Sequence, residues 1–269
     1  MTDSLTIGLP NGKICHITSA TMRTIAKYLR WETFKQGQYR RPGYELRATD
    51  TVIDIGANIG MFALWAEPQI PHGRLICIEP NPRVLECLRL NISRNDLRNV
   101  DIVPIALGAK DGTMELVCHP GWEALAYNTA VDAPWFFNKS ASGRTIRWLM
   151  QRLRRQTHQT AGSAPIVVSQ RSLAGVMDER AIAAVNFLKI DCEGSEYEIL
   201  RGMDADHWAR IERIVIEYHE FGGRSHRELM DILRSNGFEV ERERTILTRL
   251  FSIAGAPVGM IWAKKAAQH

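Results

Sequence analysis

Three carboxylates fall within the run Lys189-Ile-Asp-Cys-Glu-Gly-Ser-Glu196, and a second run, Ile214-Val-Ile-Glu-Tyr-His-Glu220, ends with a carboxylate and a histidine two residues apart. Each run starts as an apolar strand and turns polar at its end. Like charges as close as Asp191, Glu193 and Glu196 raise one another's pKa unless a cation or hydrogen bond compensates, and Lys189 is one partner at hand. By the two-residue period of a strand, Glu217 and His219 project to the same side. An imidazole accepts a proton at neutral pH, which makes His219 the first candidate for a general base. Asp191 is its nearest rival, with Glu193 beside it. An alternative stays open: Asp191, Glu217 and His219 together can hold Mg²⁺, although a histidine is a less typical ligand for that ion than a hard oxygen donor. The bland alternative makes Glu196 a helix cap and Glu193 a turn residue.

A second constellation lies nearer the N-terminus, in Thr51-Val-Ile-Asp-Ile-Gly-Ala-Asn-Ile-Gly60 and Leu75-Ile-Cys-Ile-Glu-Pro-Asn-Pro82. Glycines between a strand and a helix let backbone N–H groups approach a ligand at the positively polarised helix start. Glu79, closing the next strand, can accept both hydroxyls of a ribose. The spacing Asp54-x-Gly56-x-Asn58-x-Gly60 differs from the G-x-G-x-x-G dinucleotide fingerprint. A carboxylate at Asp54 would repel a pyrophosphate, whereas it attracts the cationic amino-acid end of S-adenosylmethionine. The residues therefore favour S-adenosylmethionine over NAD(P). Asp54, Gly56, Asn58 and Gly60 are expected at the methionine end and Glu79 at the ribose.

Positioning these groups requires strands that end together. From residue 51 the chain alternates strand and helix, the pattern of an α/β doubly wound, mostly parallel sheet whose last strand is antiparallel. Such a sheet binds ligands beyond the carboxyl ends of its strands. The spacing predicts strands over 52–55, 75–79, 101–106, 186–191 and 211–218, and an edge pair over 237–243 and 258–264. Residues 1–50 read as an N-terminal cap, with a helix over 21–34, and residues 51–269 as the cofactor-binding domain. The insertion 119–165, bracketed by hairpin arms at 112–117 and 165–169, is too long for a plain connector and reads as a lid or binding insertion. It carries Trp122, Tyr127, Trp135, Phe136, Phe137 and Trp148. It also carries a basic amphipathic segment, Arg144–Arg155, with five arginines and no acid. Contact with an anionic membrane surface, a phosphate-bearing acceptor or a second subunit are its alternatives.

Four stretches in this order, Val52–Gly60, Glu79–Pro82, Ile105-Ala-Leu-Gly108 and Leu188–Glu196, resemble the FkbM-type methyltransferases. The resemblance covers roughly residues 50–118 and 165–240. It implies a class I methyltransferase fold, S-adenosylmethionine as cofactor, and O-methylation of a hydroxyl on a sugar, glycoconjugate or secondary metabolite. It extends the cofactor-lining set to Asn81 and Ala106. An NAD(P)-dependent oxidoreductase and a non-catalytic S-adenosylmethionine-binding module are the rival readings.

Composition narrows the partners. The 269 residues are 45% hydrophobic and 24% charged, enough for one α/β domain with decorations. A net charge of +4 with no aromatic–basic stripe does not indicate nucleic acid. Five dispersed cysteines suit reduced thiols, and neither a secretory signal nor an apolar span is visible, so a cytoplasmic protein is expected. The expected partner is a hydroxyl-bearing small molecule or glycan, with homo-oligomer formation an open alternative.

Overall fold

The computed structural model describes residues 5–20, 22–117, 127–128, 165–192, 194–220, 223–243 and 258–266. The chain begins with a hairpin, β1 (Leu5–Gly8) and β2 (Ile14–Ile17), followed by α1 (Met22–Arg30). The helix expected to continue to residue 34 instead widens into a π-helical segment, Trp31–Gln36, ended by Gly37 in the left-handed conformation. Then come β3 (Thr51–Ile55), α2 (Met61–Ala66), β4 (Arg74–Ile78), α3 (Pro82–Arg94) and β5 (Val100–Val103). A smaller sheet holds β6 (Ala106–Gly108), β7 (Gly112–Val117), β8 (Tyr127–Asn128) and β9 (Ile166–Ser172). The chain returns through α4 (Leu173–Glu179), β10 (Val185–Ile190), α5 (Glu196–Arg201), α6 (Ala205–Ala209) and β11 (Ile211–His219). It closes with α7 (His226–Ser235), β12 (Phe238–Glu243) and β13 (Val258–Lys265).

The main sheet has the order β12-β13-β11-β10-β3-β4-β5. The neighbours β11-β10-β3-β4-β5 pair in parallel, and β13 runs antiparallel to β11 and β12. This is the expected doubly wound α/β sheet. Strand order reverses between β3 and β10, which opens a crevice at their carboxyl ends.

Side-chain alternation divides the core. Val52, Leu75, Cys77, Phe187 and Val215 join α2, α3 and the N-terminal hairpin, α1 and π-helical segment on one face. Ile53, Ile55, Ile76, Ile78, Leu188, Ile190, Ile214 and Ile216 pack on the other, with α4, α5 and α7. Burial on both faces explains why these strands read as continuous apolar runs. The same period of two carries the first face outward to Asp54, Glu79, Lys189, Asp191 and Glu217. A single sheet face thus changes from core to polar site along its length.

The strand expected over 101–106 is a correction. Pro104 has no N–H to give to a ladder, and the chain leaves the main sheet there, so Ala106 belongs to β6 of the smaller sheet. The expected hairpin is present, with β7 antiparallel to β9. Two short helices, α4 and α6, were not anticipated by the apolar periodicity. Among the described residues no helix is long and apolar enough to cross a membrane. Glu193, the lid expected over 119–165 and its basic segment 144–155 lie outside the described residues, apart from β8 and Pro165.

Candidate active site

Between β3 and α2 the chain makes two left-handed turns, at Gly56 (φ 77°) and Gly60 (φ 86°), with Asn58 also left-handed (φ 52°). The glycines are required by the protein itself. A Cβ at Gly56 would lie 1.8 Å from the Asp191 carbonyl oxygen, and one at Gly60 would lie 2.7 Å from Leu88 of α3. Gly56 therefore joins the tip of β3 to the tip of β10. The Gly56 and Ala57 N–H groups both donate to the Ile78 carbonyl, which ties the loop to β4 as well.

Glu79 sits beside this loop, 7% exposed. Its Oε2 accepts the Asn58 N–H at 2.9 Å and its Oε1 accepts the Asn81 N–H at 2.8 Å. A carboxylate has about four acceptor positions, so each oxygen keeps capacity for one hydroxyl of a ribose. Burial raises the Glu79 carboxyl to about 7, against the lowering effect of the two backbone donors. Asn81 has a local task, because its side chain caps α3 by accepting the Arg83 N–H. Ala106 is buried with Met114 and Leu116 in the smaller sheet.

Asp54 is fully buried, and the cation it meets is Lys189, whose Nζ lies 2.8 Å from Oδ1. Its Oδ2 has no hydrogen-bond partner among the described residues. Lys189 also donates to the Gly56 carbonyl and lies 3.6 Å from Asp191 Oδ2. Burial alone would lower the ammonium, but the charges of Asp54 and Asp191 outweigh it and hold Lys189 above its ordinary range. Lys189 is thus the compensating cation for Asp191 that the charge argument required. It couples β3 to β10 beneath the glycine loop.

Asp191, Glu217 and His219 come together, with one ligating atom of each within 4.8 Å of the others. His219 Nδ1 lies 2.9 Å from Oε1 of Glu196, which is fully buried and also accepts the Gly194 N–H. When the carboxylate accepts from Nδ1–H, the neutral ring presents its lone pair at Nε2. Glu196 is therefore an orienting acid rather than a simple helix cap. Nothing in the local sequence shows this, because its partner is on another strand. The N-terminal cap also reaches the cluster: Gln38 Nε2 donates to Glu217 Oε2 at 2.7 Å, and Lys189 stands over the Tyr39 ring at 5.9 Å.

A family profile described as the methyltransferase FkbM domain matches residues 54–240. The chain belongs to the FkbM methyltransferase family. It is 30% identical over 275 residues to the 31-O-demethyl-FK506 methyltransferase FkbM of Streptomyces tacrolimicus, covering 97% of each chain. It is 28% identical over 194 residues to Methyltransferase 1 of Beauveria bassiana, covering 72% of this chain and 74% of that one. Among solved structures, the FkbM methyltransferase of Methylobacillus flagellatus matches with a TM-score of 0.51 at 14% identity. That match covers 84% of this chain and 46% of the longer one, and it shows a common fold. In this FkbM chain the matched span runs from the glycine loop through the strand-end carboxylates, so the family's methyl-transfer domain contains both constellations.

Proposed function

We propose that this FkbM-family protein transfers the methyl group of S-adenosylmethionine to a hydroxyl oxygen, on a sugar of a glycoconjugate, polysaccharide or secondary metabolite. The observation that carries the reading is the Glu196–His219 pair beside Asp191 and Glu217, with β10 lying between β11 and the strand that leads into the glycine loop. The donor site is supported by Glu79 and by the loop that presents Asn58 to it. S-adenosylmethionine supplies an electrophilic methyl on a cationic sulfur. His219 Nε2 takes the hydroxyl proton as the new C–O bond forms, and the sulfur keeps the electron pair of the broken C–S bond. Glu196 favours the imidazolium that results, by charge and by its Nδ1 hydrogen bond. Asp191, already paired with Lys189, is better suited to accept a hydrogen bond from the acceptor than to remove its proton. The name of the Streptomyces relative specifies an oxygen as that protein's methylation position, which supports the same atom type here.

The donor set Asp191, Glu217 and His219 would also fit a divalent cation, which would polarise the acceptor hydroxyl. Lys189 already supplies positive charge at Asp191, and Gln38 occupies Glu217, so proton removal is assigned to His219. The test is turnover of isotopically labelled S-adenosylmethionine with a panel of glycoside and macrolide hydroxyls, with and without EDTA. O-methylated product formed in EDTA and lost in His219→Ala supports the reading. Activity lost in EDTA and restored by Mg²⁺ transfers the role to a metal, and methylation only at nitrogen or carbon overturns the reading.

A further inference from the structure

Among the described residues, the large hydrophobic side chains left exposed are Ile14, Tyr28, Trp31 and Val167. Two of them, both aromatic, are neighbours. Tyr28 (41% exposed) and Trp31 (38% exposed) have ring centroids 6.2 Å apart and planes inclined at 33°. Single exposed hydrophobics need no explanation, but an aromatic pair beside a candidate active site does. The pair spans the junction at which α1 becomes π-helical, and such widened turns occur frequently at functional sites. Thr33 and Phe34 anchor the inner side of that segment in the core, leaving Trp31 directed outward.

Three observations connect the pair to the catalytic cluster. The Tyr28 hydroxyl donates to Glu32 Oε1 at 3.0 Å. The Glu32 carbonyl accepts the Gln38 N–H at 3.2 Å. Gln38, just past the π-helical segment, holds Glu217. An inclined aromatic surface thus borders a group of carboxylates.

We propose that Tyr28 and Trp31 form the acceptor subsite, stacking against the C–H face of a pyranose ring whose hydroxyls reach Glu32, Glu217 and Asp191. A pyranose presents apolar C–H groups on its face and hydroxyl donors around its rim, which matches aromatic rings bordered by carboxylate acceptors. An alicyclic alcohol of similar size would use the rings but not the rim. The inference rests on the O-methyltransferase reading and adds the residues that select the acceptor.

The test is saturation-transfer NMR on the full chain saturated with S-adenosylhomocysteine. The probes are methyl α-D-glucopyranoside, methyl α-L-rhamnopyranoside and cyclohexanol. The expected result is saturation of pyranoside ring protons, with weaker transfer to cyclohexanol. Trp31→Ala should weaken pyranoside binding about tenfold, a factor within reach of one aromatic contact, while Trp31→Phe restores most of it. S-adenosylmethionine affinity should change less than about twofold in either variant, because Trp31 lies outside the donor site. Pyranosides that bind Trp31→Ala as tightly as wild type, or that fail to bind wild type, overturn the subsite. Hydroxyl acceptors whose KM is unmoved by Trp31→Ala also overturn it while leaving O-methylation intact. A wild-type enzyme that methylates no hydroxyl overturns the underlying reading instead.

Discussion

Glu79 makes cofactor binding depend on pH in a way that can be worked out in advance. Its carboxyl ionises near 7 because it is buried with only two backbone donors. Two ribose hydroxyls would donate to the ionised form, so binding below pH 7 must first displace a proton. Relative to pH 8, affinity should fall about tenfold at pH 6 and about a hundredfold at pH 5, at roughly 1.4 kcal/mol per decade. S-adenosylmethionine has an α-amino group that titrates in the same region, so the cleaner probe is 5′-methylthioadenosine, which keeps the ribose and lacks the amino acid. Isothermal titration at fixed ionic strength between pH 5 and 8 gives the slope. Glu79→Gln should bind more weakly at pH 8 and show no slope. A change of less than about threefold for wild type between pH 8 and 5.5 would refute the placement of the ribose on Glu79. The free chain shows the opposite side of the same shift. An unfolded glutamate ionises near 4.5, so the fold binds this proton more tightly, and the carboxyl costs stability as pH rises from about 4.5 through 7. The full window amounts to on the order of 3 kcal/mol.

Three other expectations concern the groups around it. Glu196→Gln should lower kcat by about 10–100-fold with S-adenosylmethionine affinity unchanged, and move the acidic limb of the rate profile to lower pH, since the charge favouring the imidazolium is gone. An unmoved pH profile would make Glu196 merely structural. Lys189→Met leaves Asp54 buried without its cation and should cost about 3–5 kcal/mol, read as a lowered denaturation midpoint; a variant as stable as wild type would show that the pair is not a structural tie. Gly56→Ala combines a positive φ with a Cβ 1.8 Å from a carbonyl oxygen. It should cost more than about 2 kcal/mol and weaken cofactor binding, whereas a neutral outcome in calorimetry would contradict the close approach.

Much of this site is legible in the sequence because strand periodicity is local. Val52 and Asp54 share a side of one strand, and Glu217 and His219 share a side of another, without knowledge of the fold. Apolar runs that end in acids point to the strand ends, and the structure brings Asp191, Glu217 and His219 together there. Partnership between strands has no such signal. That Lys189 meets Asp54 follows from the β3–β10 register, which depends on distant packing. That Glu196 orients His219 depends on where α5 starts relative to the end of β11. Asn81 and Ala106 come from the resemblance alone, and the structure shows one capping α3 and the other buried in the smaller sheet. The π-helical widening after Arg30 was also beyond periodicity, because one turn of excess does not alter the apolar spacing of a helix that short.

Gly56 seated on the Asp191 carbonyl has a consequence for how such a chain can change its preferences. The loop proposed to hold the methyl donor and the end of β10 that presents Asp191 are in van der Waals contact through backbone atoms, and Lys189 of that strand donates to the Gly56 carbonyl. Neither can shift without the other, so the distance between such a donor and Asp191 would be the same for every acceptor. On the proposed acceptor subsite, adaptation would then come from the N-terminal segment, where Tyr28, Trp31 and Glu32 are on a peripheral helix and Gln38 is just beyond it. Substitutions there leave the reacting geometry intact, which would let one chemistry diversify by exchanging a few residues in the N-terminal cap.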